Sequence, residues 1–367
     1  MADANQIRTA ATSALVVAGI FGLNSMFGQI YRNGHMRCIS DILTSPDPVF
    51  PNTQTRVLTK YTMVPPLDRL LTLGTVLWAN VADGSAPALS LYALQFGGQL
   101  VPVYFVFLIE GSRAGHVNTA MRRSVFWGLM MQTVGYAITM PVYGAISLFT
   151  SPTLGKIRFS TSDLATAISP SNLPSVTLEA IIPSFLFGYF LPSVLMGLPV
   201  SSAALHQWFG ALWQGFPLYV SLWRHFCTPS ATGAKPDLST YGLLFAAKAL
   251  PALFPPGVAE SLTFAKVFAP GPIYSTKPAS SMATATHDFF KWDQYVGSAA
   301  ALIWGVAVDV MSRNNALQLK DWMLLGWEIL RWTVVAGPAG AVVRLLQRRD
   351  KAVLEKCVGS DDKMKSL

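Results

Sequence analysis

Residues 86–110 read APALSLYALQFGGQLVPVYFVFLIE, and no charged side chain appears before the closing glutamate. A helix of about 20 mostly apolar residues crosses the hydrocarbon core of a bilayer, because it satisfies every backbone donor and acceptor internally. Working outward, Ala10–Ile30, Leu67–Val81, Val125–Phe149, Ile181–Val200, Ala203–Leu222, Tyr295–Met311 and Trp322–Leu345 read the same way. The expectation is an all-α, polytopic transmembrane bundle of about eight spans, with seven to nine compatible. Tyr241–Pro270 carries Lys248, Pro251, Pro255, Pro256 and Glu260 within its apolar run, and reads as a broken, re-entrant or interfacial helix. Polar loops are expected at Arg32–Lys60, Ser151–Thr177, Arg224–Ser239 and Gly271–Phe290.

Composition agrees. The 367 residues are 51% hydrophobic and only 13% charged, with a mean hydropathy of +0.40, against about 25% charge in an average soluble domain. Apolar segments run from residue 10 to residue 346, so the chain reads as one integral-membrane helical domain over 1–367, with a basic C-terminal tail at about 346–367. The net charge of +8, carried partly by Arg344, Arg348, Arg349, Lys351 and Lys356, suits an anionic membrane face better than nucleic acid. The first segment has Asp3 and a single basic residue, Arg8, ahead of it, and reads as a retained helix rather than a secretory signal. Arg32, Arg37, Arg56, Lys60, Arg113, Arg122 and Arg123 are expected on one side. Three widely spaced cysteines indicate neither a disulfide framework nor a zinc site.

Several chemistries are absent. No DDxxD-like run lies inside a helix to hold magnesium against a diphosphate, and the one Asp pair is Asp361–Asp362. Five scattered histidines are too few for a membrane di-iron site or a haem relay. Neither phosphate-binding glycine motif nor a GxSxG elbow occurs. No metal and no cofactor are expected.

What remains is a set of carboxyls at or inside apolar segments. An ionised carboxylate near mid-bilayer costs about 2.5–3.5 kcal/mol even on insertion scales, so such acids pair, protonate or face a polar cavity. A carboxyl removed from water favours its neutral form, which can donate a proton. Asp68 stands in the first turn of a proline-initiated helix, Glu110 closes the span quoted above, and Asp293 follows Phe289-Phe290-Lys291-Trp292. Each has a plain alternative. Asp68 can complement the helix dipole or pair with Arg69, Glu110 can pair with Arg113 three residues on, and Asp293 can cap the helix that follows it. Glu328 reads most simply as an intrahelical partner of Arg331, and Asp309 as interfacial.

Trp208, Phe209, Trp213, Phe216, Tyr219 and Trp223 recur along one segment with His206 and Gln214. Such a stripe is ordinarily packing or an interfacial belt. It also suits a cavity whose ring faces stabilise developing positive charge.

Several short blocks, in order, resemble the fungal integral-membrane terpene cyclases of meroterpenoid pathways, the group typified by the ascofuranone and macrophorin cyclases. They are Pro65 to Asp68, Ile109-Glu110 with Arg113 and Asn118, Met140-Pro141-Val142-Tyr143, Gly188 to Pro192, Trp213 to Pro217, and Phe290 to Asp293. The resemblance implies metal-independent cyclisation, of isomerase or lyase type, of the prenyl chain of a lipophilic substrate, initiated when a carboxylic acid protonates an epoxide or terminal olefin. It implies Asp68, Glu110 and Asp293 as candidate acids. Arg113 and Asn118 are implied to orient an acid or the head group, and Trp213, Gln214 and Trp292 to shape the cavity. The location implied is the endoplasmic reticulum or another endomembrane.

A small polytopic transporter or receptor-like protein for an apolar ligand is the competing reading, and a non-catalytic scaffold a third. The three acids are expected at span ends and at one depth. Their convergence on one aromatic-lined pocket would favour the enzyme, and their dispersal the transporter.

Overall fold

The computed structural model describes residues 4–50, 54–83, 85–113, 116, 119–150, 175–198, 200–227, 262–274, 277–313 and 317–365. Helices dominate, and among the described residues the β-structure is an isolated bridge between Val49 and Arg56. In order the helices are α1 (Ala4–Arg32), α2 (His35–Thr44), α3 (Pro65–Ala82), α4 (Pro87–Ser112), α5 (Ser124–Val134) and α6 (Tyr136–Thr150). Next comes α7, in which Ser175–Phe185 passes through a π turn at Leu186–Phe190 into Leu191–Met196. The remainder are α8 (Ala203–Gln214), α9 (Phe216–Phe226), α10 (Phe264–Phe268), α11 (Met282–Met311) and α12 (Leu319–Lys365).

Local chemistry sets the boundaries. Proline stands in the first turn of α3, α4 and α9, where a missing N–H costs nothing. Side chains of Ser202 and Ser281 accept the N–H of Leu205 and Thr284 at the starts of α8 and α11, satisfying otherwise orphaned donors. Ala4–Arg32, Pro87–Ser112, Met282–Met311 and Leu319–Ala352 are long and apolar enough to cross a membrane. Helix α4 is buried continuously from Gln99 to Glu110, the mark of a helix surrounded by others.

Three of these four long helices, α1, α4 and α11, share one frame. Phe21 and Phe27 of α1 meet Trp292 and Phe289 of α11, while Ile7 packs on the cluster of Val310, Leu325 and Leu345, so α1 and α11 are antiparallel. Tyr92 and Phe96 of α4 meet His287 and Phe290, while Tyr143 touches both Phe107 and Trp304, so α4 runs parallel to α11. Arg32 and Arg113 therefore lie at opposite ends, contrary to the shared side expected from the sequence. The expected loop after Arg32 contains α2, and the one ending at Phe290 gives way to α11 from Met282 onward.

Two expected spans are hairpins. Trp127 and Tyr143 are sixteen residues apart, about 24 Å along a straight helix, yet their ring centroids are 5.2 Å apart. The chain reverses at Gly135, whose φ of +92° suits a residue without a Cβ, so Val125–Phe149 is not one helix. Glu328 and Arg344 are likewise sixteen residues apart and joined at 2.7 Å, so Trp322–Leu345 also folds back, at Gly337 with φ +73° and Pro338. The segment α8–α9 only bends at Gly215: Trp213 reaches Ser193 and Trp223 stacks near Phe187, a continuous path antiparallel to α7.

Both hairpin tips lie beside the middles of α4 and α11 and use the same device. Asp293 Oδ1 accepts the N–H of Ala137 at 2.7 Å, and Gln99 Oε1 accepts that of Ala339 at 3.2 Å. Each is the second residue after the turn glycine, where a newly started helix has an unbonded donor. Irregular backbone at membrane depth is stable only when protein satisfies it in this way.

Candidate active site

The three candidate acids have different surroundings. Asp68 is buried, and one oxygen accepts hydrogen bonds from the N–H of Tyr61 at 3.1 Å, the N–H of Thr62 at 2.6 Å and the Thr62 hydroxyl at 2.9 Å. It gathers the incoming chain onto the start of α3 and acts as an acceptor, the role of an ionised carboxylate.

Glu110 is held in a buried charged network. Arg349 donates to both its oxygens, at 2.8 and 3.0 Å, in the forked geometry that guanidinium offers a carboxylate. Arg113 donates to it at 2.8 Å and to Asp350 at 2.7 Å, and Arg349 Nε also reaches Asp350 at 2.9 Å. His116 Nε2 stands 3.9 Å away. Two carboxylates and two guanidinia balance, so the Glu110–Arg113 pair expected from spacing exists as part of a larger lock between α4 and α12. Leu346, Arg349 and Asp350 of the expected tail are buried in the bundle. Asn118 lies outside the described residues.

Asp293 is different again. It lies inside α11, eleven residues beyond the start at Met282, so it is neither at a span end nor the cap of its own helix; Ser281 is that cap. Its side chain is buried, and among the described residues no Lys, Arg or His forms an ion pair with it. It reaches across to the tip of the α5–α6 hairpin. A Cβ on Gly135 would lie 2.7 Å from Asp293 Oδ1 and 2.6 Å from Met26 Cε, so glycine there serves both the turn and the approach of the acid.

From this tip an aromatic row crosses the bundle. Tyr136 faces Phe96 at 6.5 Å, Phe96 faces Phe290 at 6.3 Å, Phe290 meets Trp78 at 4.5 Å, and Trp78 meets Trp213 at 4.6 Å. Trp213 is buried, and its Nε1 donates to Ser193 Oγ at 2.9 Å. Gln214 is half-buried and donates to the carbonyl of Leu71 at 3.1 Å, tying α8 to α3. Trp292 is buried edge-on against Phe21 at 5.6 Å. Within the stripe read from the sequence, Trp213 and Phe216 are buried whereas Trp208 and Trp223 are exposed.

Among the described residues no hydrogen bond or ion pair joins Asp68, Glu110 and Asp293 to one another. Among the described contacts of the three, those of Asp293 lead to the aromatic row, through the Ala137 N–H next to Tyr136. Asp309 is fully buried rather than interfacial, with Arg313 at 2.5 Å and Arg348 at 3.6 Å. Glu328 pairs with Arg344 and Arg348 rather than with Arg331, which lies over Trp332. Sequence reasoning missed Gly135, Tyr136, Arg349 and Asp350. The Asp293–Ala137 and Arg349–Glu110 contacts span 156 and 239 residues, beyond any local pattern. Among the described residues no group of three or more His, Cys, Asp or Glu could hold a metal ion.

Comparison with known proteins matches the CtvD domain over residues 10–234 and 230–354. The chain is 27% identical to terpene cyclase ascI of Acremonium egyptiacum, covering 92% of this chain and 91% of that relative. It is 26% identical to terpene cyclase verU1 of Penicillium polonicum, covering 92% and 93%. Identity to terpene cyclase ctvD of Aspergillus terreus is also 26%, covering 90% and 96%. No solved structure matches. The matched regions take in almost the whole chain and its relatives carry the name that the ordered sequence blocks implied: the chain belongs to the CtvD-domain family.

Proposed function

We propose that this protein is an integral-membrane terpene cyclase of secondary metabolism, acting on a prenylated lipophilic substrate of meroterpenoid type in an endomembrane. The initiating acid is Asp293. The observation that carries this assignment is its burial, with no ion pair among the described residues, beside a continuous row of aromatic rings. Glu110 is already neutralised by two guanidinia, and Asp68 is engaged as an acceptor.

In this reading the Asp293 carboxyl transfers its proton to an epoxide oxygen or a terminal alkene carbon. The C–O bond opens, or the alkene π bond is consumed, and a carbocation forms on the prenyl chain. A neighbouring alkene supplies the electron pair for the new C–C bond. The final cation loses a proton or is captured by oxygen, and loss of a proton back to the carboxylate regenerates the acid. Ring faces of Tyr136, Phe96, Phe290, Trp78 and Trp213 stabilise the migrating charge, about 0.5–2 kcal/mol each. Trp292 and Gln214 shape the walls, Arg113 holds Glu110 in place, and Asn118 orients an acid or the head group. No diphosphate leaves, so the reaction makes no demand for a metal.

The test incubates membranes containing the full chain with prenylated phenols and their terminal epoxides. Isomers of equal mass support the cyclase, and Asp293→Asn removes them. A transporter for an apolar ligand, favoured by the separate surroundings of the acids and by the broken helices at Gly135 and Gly337, gives no new isomer.

A further inference from the structure

The two arms of the α12 hairpin part at the end of the bundle where α11 finishes, leaving a hollow of about 330 Å³ lined by Arg313, Glu328, Arg344, Arg348, Lys351 and Ala352. Among the described residues Arg313, Arg344 and Arg348 there meet two carboxylates, Glu328 and Asp309, the latter also 3.6 Å from Arg348. Asp309 lies fully buried behind them, bound to Arg313 at 2.5 Å. Arg344 uses Nε on Glu328 at 2.7 Å and Nη1 on Gln347 at 3.4 Å. A guanidinium carries five N–H donors, so these three arginines keep donor capacity and exceed the two carboxylates by one charge.

The arm below this hollow is apolar and outward-facing. Met323, Trp327, Leu330 and Val334 are exposed, and their spacing of three or four places them on one stripe. On the membrane reading that stripe faces acyl chains, and the hollow stands at the depth of the headgroups. We infer that the mouth of the α12 hairpin binds the phosphate of an anionic phospholipid, with the lipid's chains lying along Met323, Trp327, Leu330 and Val334. The arginines supply forked donors suited to phosphate oxygens, and Glu328 holds Arg344 and Arg348 in position. This site is separate from Asp293 and independent of the cyclisation chemistry.

The test uses the full chain purified in a neutral detergent and reads the unfolding temperature with added phosphatidylserine, phosphatidylcholine or glycerol 3-phosphate. Phosphatidylserine is expected to raise it by about 3 °C more than phosphatidylcholine, and the difference should shrink as salt screens the charges. The double variant Arg344→Gln with Lys351→Gln abolishes the difference. Lys320→Gln, which removes an exposed charge outside the hollow, retains it. Equal shifts with both lipids, full retention in the double variant, or an equal shift with glycerol 3-phosphate would each overturn the proposal. Should the double variant fail to fold, Arg344→Gln alone must reduce the lipid difference, and an undiminished difference overturns the proposal equally.

Discussion

Asp293 Oδ1 lies 2.7 Å from the backbone nitrogen of Ala137, so the carboxyl nominated as the proton source also closes the tip of the α5–α6 hairpin. The two roles use different parts of the group. The hairpin needs one oxygen as an acceptor, whereas protonation of substrate needs an O–H on the other.

Asp293→Asn separates them. The amide oxygen can still accept the Ala137 N–H, but no acidic proton remains. Cyclisation should fall at least about 100-fold, the range associated with loss of a general acid, while expression and unfolding temperature stay near wild type. Full activity in isolated membranes would remove Asp293 from the chemistry.

Glu110→Gln and Arg349→Met should do the reverse and act first on stability. Each leaves an uncompensated charge in the buried network of Arg113, Arg349 and Asp350, which costs about 3–5 kcal/mol. The measurement is unfolding temperature together with protease resistance of the C-terminal helix. Activity lost at unchanged stability would instead place Glu110 in the reaction.

Gly135→Ala introduces a Cβ 2.7 Å from Asp293 Oδ1 at a φ of +92°. With ψ at 160° this is a region essentially confined to glycine, where an alanine costs about 1–3 kcal/mol, and the contact displaces the acid. Activity should therefore drop by more than the stability loss explains, as seen by comparing turnover per folded molecule below the melting transition.

The α12 hairpin can be checked by cross-linking. In a chain with Cys38, Cys227 and Cys357 replaced by serine, Glu328→Cys with Arg344→Cys should be bridged by a reagent shorter than about 10 Å. On an unbroken helix those positions stand about 24 Å apart, and no bridge would form.

His35 lies outside the long apolar helices, packed beside Thr286, and its burial lowers its pKa to about 4. The unfolded chain binds a proton near pH 6.5 while the folded chain stays neutral, so this group's stabilisation is complete above 6.5 and is lost as pH falls toward 4. The full effect is about 3 kcal/mol. His35→Gln should flatten the pH dependence of unfolding in that window, and an unchanged slope would contradict the assignment.

The sequence by itself determined that the chain is helical and apolar, which carboxyls and tryptophans lie within apolar runs, and, through short ordered blocks, the family. Those properties follow from local composition and spacing. It could not decide where long apolar stretches reverse. Residues 125–149 and 322–345 each have the length and hydropathy of one crossing, and a single glycine at positive φ turns each into two arms. Which of the three carboxyls stands beside the aromatic row was equally illegible. Asp68, Glu110 and Asp293 look alike along the chain, and what separates them is that Arg349 folds back onto Glu110 and Thr62 donates to Asp68, while Asp293 accepts the N–H of Ala137 beside Tyr136. Contacts over 156 and 239 residues are set by the packing of α4, α6, α11 and α12, because the free energy of a buried carboxyl depends on the groups brought to it in space.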